Sequence, residues 1–102
     1  MIGNDRLYLA AVALATAEGD ARERVCLAMS IIEPLRANEF ASRVDLWERL
    51  EKLRNDTKSK GPQIINGKVL KDAYQNTAYA RQNKTYKKYA KEILDLWLES
   101  LN

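Results

Sequence analysis

Residues 79–102 read YARQNKTYKKYAKEILDLWLESLN, and the spacing within them decides the fold class. Tyr79, Tyr86 and Ile93 lie seven residues apart, Tyr89 and Leu96 supply intervening apolar positions, and Trp97 and Leu101 follow. An α-helix brings residues three, four and seven apart onto one side, so this pattern predicts a helix with one apolar face. Lys84, Lys87, Lys88 and Lys91 repeat at three-, four- and seven-residue offsets, which gathers them on one broad basic face with Arg81 one turn earlier.

Helical spacing extends back to residue 68, so 68–102 is expected as one long helix or as two pieces separated near 82–84. Upstream, NDTKSKGPQIING at 55–67 is rich in polar and turn-forming residues. It reads as a connector in which Ile64 and Ile65 form a small hydrophobic anchor and Asn66 and Gly67 shape the approach to the last helix. No phosphate-cradling GxxxxGK[ST] or GxGxxG framework surrounds these glycines.

Towards the N-terminus, Val44, Trp47, Leu50 and Leu53 recur at three-residue spacing, with Leu46 widening the face. Ser42 with Asp45 three residues later, and Phe40 just ahead, predicts the cap of that helix. Asp20 is placed to cap a helix carrying Val25, Ala28, Met29, Ile32 and Leu35, with Pro34 marking a kink or the approach of its end and Asn38 its stop. A first helix is expected from Asn4 or Asp5 to about Ala17, ahead of Gly19. Its small core face comprises Leu7, Ala10, Ala11, Leu14 and Ala15, and the unbroken apolar run 7–15 predicts burial on more than one side, as in a sandwiched helix. The fold class expected is therefore all-α: a small four-helix or irregular four-to-five-helix bundle, forming a single compact helical domain over 1–102 with a connector near 55–67.

The 102 residues are 46% apolar, enough for one thin core in a chain that buries roughly 60–68% of its extended surface. The heptad spacing at the end also suits a homodimer, as an alternative to a monomer. The run 7–15 is too short for a membrane span of about 20 residues, and with no cysteine framework a cytoplasmic location is expected.

Cys26 is the only cysteine and histidine is absent, which removes disulfides, four-thiolate zinc sites, Cys/His and Ser/His/Asp chemistry. Cys26 sits beside Val25, Leu27 and Met29 and reads as a packing residue. The acid pair Glu18 and Asp20 fits a turn and a cap, while Glu48 and Glu51 fit a solvated face with Lys52 as the partner of Glu48. Arg81-Gln-Asn-Lys84 resembles the motif of helical HEPN-type ribonucleases only in its arginine and helical context. That motif places a histidine several residues later, where this chain has QNKTYKK. No catalytic residue, cofactor or metal is assigned, and the chain is expected not to be an enzyme.

Charge is divided unevenly. Residues 1–51 hold six basic against nine acidic residues, whereas 52–102 hold eleven basic against five acidic. Lys58, Lys60, Lys68, Lys71, Arg81, Lys84, Lys87, Lys88 and Lys91 are the candidate partner-binding residues. The function expected is a noncatalytic protein-interaction or regulatory module, of the kind bacterial and phage accessory factors use, docking an acidic protein surface with Tyr74 or Trp97 at the contact centre. The alternative is nonspecific nucleic-acid binding, with phosphates held by the lysines and Tyr79, Tyr86 and Tyr89 available to stack on bases.

Overall fold

The computed structural model describes residues 4–102. Five α-helices span α1 Asn4–Thr16, α2 Ala21–Ile32, α3 Val44–Thr57, α4 Ala73–Tyr79 and α5 Asn83–Ser100. The all-α bundle expected from the spacing is what forms, in its five-helix version. One 3-10 turn, Ala37–Phe40, joins α2 to α3. Between α3 and α4 lies an element the connector reading did not contain, a hairpin of β1 Gln63–Ile65 and β2 Lys68–Lys71. The connector is correspondingly shorter than 55–67, because α3 runs on to Thr57.

Local chemistry sets the boundaries. Asp20 accepts a hydrogen bond from the Glu23 N–H at 3.1 Å and starts α2. Gly19 precedes it at φ 98°, where a Cβ would stand 2.6 Å from the Glu23 carboxylate, so the turn between α1 and α2 needs glycine. Asp72 and Gln75 form a reciprocal capping box that starts α4. The last segment is in two helical pieces, but the break falls at Ala80 to Gln82 with Asn83 and Lys84 already in α5, and 68–71, expected as helix, is strand β2.

Leu7, Leu14, Met29, Ile32, Leu46, Leu50, Tyr86, Ile93 and Leu96 come from four helices and meet in one buried cluster. Val25, Ala28, Met29, Ile32 and Leu35 are all buried, as their spacing predicts. Several expectations are corrected. The first helix packs chiefly against α2 and α5 and its outer side is open, so it is not sandwiched: Tyr8, Leu9 and Val12 are exposed, as is Ala15. The second helix ends at Ile32, well before Asn38, which lies inside the 3-10 turn. Ser42 does not cap α3; Arg43 occupies the cap position without a side-chain cap bond and pairs instead with Asp45. The buried line of α3 is Leu46, Leu50, Leu53 and Thr57, a four- and three-residue alternation that leaves Val44 exposed. Glu48 and Lys52 are both exposed and form no ion pair, and Tyr79 and Leu101 stand outside the core.

The tie between α2 and α3 is polar. Arg54, buried on α3, donates through Nη2 to the carbonyls of Ile32, Glu33 and Leu35 at 3.0, 3.1 and 2.8 Å, and through Nη1 to Glu51. The Ile32 carbonyl, which also accepts from the Leu35 N–H at 2.9 Å, ends α2 and those of Glu33 and Leu35 follow it, where the helix dipole favours a cation. Trp47 covers the guanidinium carbon at 5.2 Å and packs on Phe40.

These environments predict two opposite responses to substitution. Arg54→Met keeps the apolar stem and removes the donors, and it should cost about 2–4 kcal/mol in urea unfolding; a loss below about 1 kcal/mol would refute the clamp. The Tyr86 hydroxyl, by contrast, is buried with no hydrogen-bond partner. Tyr86→Phe should therefore leave stability unchanged or raise it by up to about 1 kcal/mol in the same assay, and a clear loss would mean that the hydroxyl is satisfied in solution.

Candidate interaction surface

Asn66 and Gly67 have φ of 51° and 75°, the left-handed conformation that both central residues of a type I′ turn require. This turn pairs the residues on either side: Ile64 lies opposite Val69 and Ile65 opposite Lys68. An irregularity at Gln63 and Ile64 sets Gln63 opposite Lys71, so Leu70 has no residue across from it. Ile64, Ile65, Val69 and Leu70 are 48 to 61% exposed, which overturns the reading of the isoleucine pair as an anchor. Ile64 and Val69, directly opposite, share one face of the hairpin and Ile65 beside Lys68 lies on the other, so the apolar patch is divided between the two faces; exposed apolar surface of this kind marks interaction sites.

Basic groups frame the patch. Lys60 lies on the approach to β1, Lys68 begins β2 beside the turn, and Lys71 ends it with Nζ 3.8 Å from the ring centroid of Tyr79. Arg81 donates to the Ser59 hydroxyl at 3.0 Å, and the Lys60 N–H donates to the Thr77 hydroxyl at 3.1 Å, so the α4 end and the 58–60 turn are held together. Lys58, Lys60 and Arg81 thus converge at one end of the hairpin.

Lys58 is engaged inside the fold. Its Nζ pairs with Glu33 at 2.8 Å and lies 5.3 Å from the Tyr74 ring centroid, while the Tyr74 hydroxyl donates to the other Glu33 oxygen. Tyr74 is buried in this arrangement, which removes it as the centre of an external contact. Trp97 is half-buried and stacks on Tyr8 at 5.7 Å between centroids. Burial and the Glu33 carboxylate push the Tyr74 hydroxyl well above its usual range. Desolvation acts to raise the Glu33 carboxyl, but the Lys58 ammonium and the Tyr74 hydroxyl outweigh it and hold the group below its ordinary 4.5.

Lys84, Lys87, Lys88 and Lys91 are all exposed along α5. Lys91 pairs with Asp95 at 3.3 Å. Among the described residues no carboxylate lies within ion-pairing distance of Lys60, Lys68, Lys71, Lys84, Lys87 or Lys88, whereas Arg22, Arg43, Arg49 and Arg54 each have an acidic partner. Of the tyrosines offered for stacking, Tyr86 is buried, Tyr89 is half-buried edge-on against it, and only Tyr79 is open.

A groove of about 840 Å³ runs between α2, β2 and α4, with Leu27, Cys26, Leu70, Ala78 and Tyr79 on its walls. Its charges are mixed, Asp20, Glu23 and Asp72 against Arg22 and Lys71. Desolvation, reinforced by Asp72, Asp20 and Glu23, pushes the Cys26 thiol up to about 11, so it stays protonated at neutral pH. Among the described residues no group of three or more Cys, Asp or Glu side chains is arranged to hold a metal, and no helix is long and apolar enough to cross a membrane.

The hairpin is the feature that sequence reading missed. The Asn66-Gly67 pair between Ile64-Ile65 and Val69-Leu70 carries the signal for it. No protein-family model, curated protein or solved structure significantly matches the chain.

The Glu33 site sets a pH dependence. A carboxyl depressed in the folded state contributes stability above its unfolded pKa and loses it as pH falls through the folded one. Wild type should therefore lose more stability between about pH 5 and about pH 3 than Glu33→Gln does in urea titrations. Parallel profiles would show that Glu33 makes no net contribution.

Proposed function

We propose that this chain is a noncatalytic helical interaction module that docks an acidic protein surface through the hairpin and the lysines around it. The observation that carries the reading is the combination of Ile64, Ile65, Val69 and Leu70 in the open with Lys60, Lys68 and Lys71 unpaired beside them. An apolar centre supplies binding energy once water is displaced, and a basic rim steers an acidic partner and fixes its orientation. The absence of histidine, the protonated Cys26 thiol and the pairing of Arg22, Arg43, Arg49 and Arg54 with carboxylates all favour binding over covalent or acid–base chemistry.

A second reading rests on α5, where Lys84, Lys87 and Lys88 form an open basic face. Phosphate contacts by these residues suit nonspecific nucleic-acid binding, without the stacking that buried Tyr86 and half-buried Tyr89 cannot supply. A regulatory role accompanies the first reading, since a module that adds no chemistry acts by occupying its partner's surface.

Two variants separate these readings. In co-purification at near-physiological salt, Ile64→Asp with Val69→Asp should abolish recovery of a stoichiometric acidic protein, while Lys84→Glu, Lys87→Glu and Lys88→Glu together reduce it only modestly. For the second reading, the triple lysine reversal should weaken duplex DNA binding and lower its salt slope by about 0.9 for each phosphate left without a cation. Persistent partner recovery after the hairpin substitutions would sink the docking model, and unchanged DNA affinity across salt concentrations would sink the phosphate model.

A further inference from the structure

The turn of the hairpin carries a reactive pair. Asn66 and Gly67 are both exposed, and with φ of 51° and 75° they reverse the chain between Ile65 and Lys68. The Gly67 N–H meets no carbonyl among the described residues, and a Cβ placed on Gly67 would touch nothing within 4 Å. A free backbone nitrogen without a neighbouring side chain, one residue after a solvent-exposed amide, is the arrangement in which an asparagine cyclises onto its own main chain. Elsewhere the same step is hindered. Asn4, Asn38, Asn55, Asn76 and Asn83 each precede a residue with a side chain, and all of them lie in helices or in the 3-10 turn, where the backbone is held.

We infer that Asn66 is a site of spontaneous covalent modification, converted through a succinimide to aspartate and isoaspartate, and that the isoaspartate form loses the hairpin register. The Gly67 N–H gives its proton to a solvent base, and the nitrogen attacks the Asn66 Cγ. A C–N bond forms, the Cγ–Nδ2 bond breaks, and Nδ2 takes a proton from solvent and leaves as ammonia. Water then adds to either ring carbonyl and breaks the bond of that carbon to the Gly67 nitrogen. Opening at Cγ restores the ordinary backbone with a carboxylate at position 66. Opening at the main-chain carbon sends the backbone through Cβ and Cγ instead. One water enters and one ammonia departs, with no change of oxidation state.

Ring closure requires the Asn66 ψ to leave the left-handed well that the turn imposes, so the reaction runs while the hairpin is open. Opening is easy here. The ladder pairs only Ile65 with Lys68, Ile64 with Val69 and Gln63 with Lys71, is interrupted at Gln63 and Ile64, and has no third strand beside it. The two products then act differently. Aspartate tolerates the left-handed conformation as asparagine does, so it keeps the turn and sets a negative charge two residues before Lys68. Isoaspartate inserts an extra backbone atom where a two-residue turn has room for none, which takes Ile64 out of register with Val69. Under the acidic-surface reading, on which this last consequence rests, a chain aged to isoaspartate no longer holds its partner.

Ageing the full chain in mildly alkaline buffer, followed by trypsin digestion and mass spectrometry, tests this. Cleavage after Lys60 and Lys68 releases 61–68, in which Asn66 is the only asparagine. That peptide should gain about 1 Da and split into two chromatographic species. Its rate should exceed that of any peptide holding another asparagine at least about 10-fold. A synthetic 61–68 peptide sets the limit for an open turn, and the folded chain should convert within about 30-fold of it. Asn66→Gly keeps a residue suited to positive φ and should show no gain. In nuclear magnetic resonance the cross-strand contact of Ile64 with Val69 should persist in Asn66→Asp and vanish in the chromatographically separated isoaspartate form. Conversion of the synthetic peptide without conversion of the chain would overturn the inference. So would earlier conversion at another asparagine, or a gain at 61–68 that persists in Asn66→Gly. An isoaspartate form that retains the Ile64–Val69 contact would overturn the loss of register. These measurements need no partner, so failure of the acidic-surface reading leaves them untouched, and co-purification of an acidic protein with the isoaspartate form would overturn the docking consequence alone.

Discussion

The guanidinium of Arg54 closes the C-terminal end of α2, and the arrangement of the other helices depends on that closure. Three carbonyls of the α2 terminus converge on one nitrogen of a side chain launched from α3. Without it, the Glu33 and Leu35 carbonyls would lose their donor and the Ile32 carbonyl would keep only the Leu35 N–H, each lost bond costing about what a charged hydrogen bond contributes. The same end of α2 carries Glu33, whose carboxylate gathers Lys58 from the end of α3 and Tyr74 from α4. Three helices are thereby registered at one point by directional bonds. Apolar packing, which is tolerant of sliding, fills the space between them. Arg54 is a buried charge that, besides holding the two helices together, specifies which turn of α3 meets the end of α2.

Fixing α2 at this end has consequences for both surfaces. The second helix packs against α1, α4 and α5, so it uses the apolar faces of three neighbours while α1 is left with one side open. Among the described residues no element covers the outer side of α1 or the apolar residues of the hairpin. An isolated two-stranded hairpin is marginal in water, and this one is held at its base by the Asp72 cap of α4 and by the Asn76 side-chain bond to the Gly61 carbonyl. Uncovered apolar residues thus cluster at the hairpin, beside its lysines, and along the outer sides of α1 and α5.

Helices were legible wherever the buried face followed a single phase. Val25 to Ile32 on α2 and Tyr86, Ile93 and Leu96 on α5 are instances, because each turn brings one more side chain to the core and sequence spacing maps directly onto burial. Reading failed where a neighbour or a turn overrode that spacing. The apolar run 7–15 looks like a buried helix because composition counts residues and not the neighbours available to cover them. Val44 fits the periodicity of α3 but falls in its first turn, outside the space that Leu46 and Leu50 fill. At the hairpin, the lysines and polar residues of 55–63 obscured a short alternation whose decisive signal is two residues long. The candidate site was visible only as basic character; that Lys58 is spent on Glu33, while Lys60, Lys68 and Lys71 border an apolar patch, depends on contacts between segments far apart in the chain.

Charge along α5 extends this contrast. The first turn holds no acid and the last turn holds no base, so Lys84, Lys87 and Lys88 crowd the positive end of the helix dipole and Glu99 sits near its negative end. Each such placement costs a few tenths of a kcal/mol, about 0.3–1 for a charge in the first or last turn. At the C-terminal end the cost is relieved internally, because Arg49 reaches across from α3 to both Glu92 and Glu99. At the N-terminal end no carboxylate of the described residues answers the lysines, and the unsatisfied N–H groups add to the same positive field. Burial of Tyr86, Ile93 and Leu96 holds the helix in place against that repulsion. A helix that neutralises one end and leaves the other end positive concentrates its potential over the first turns of α5, against the local rules of helix electrostatics.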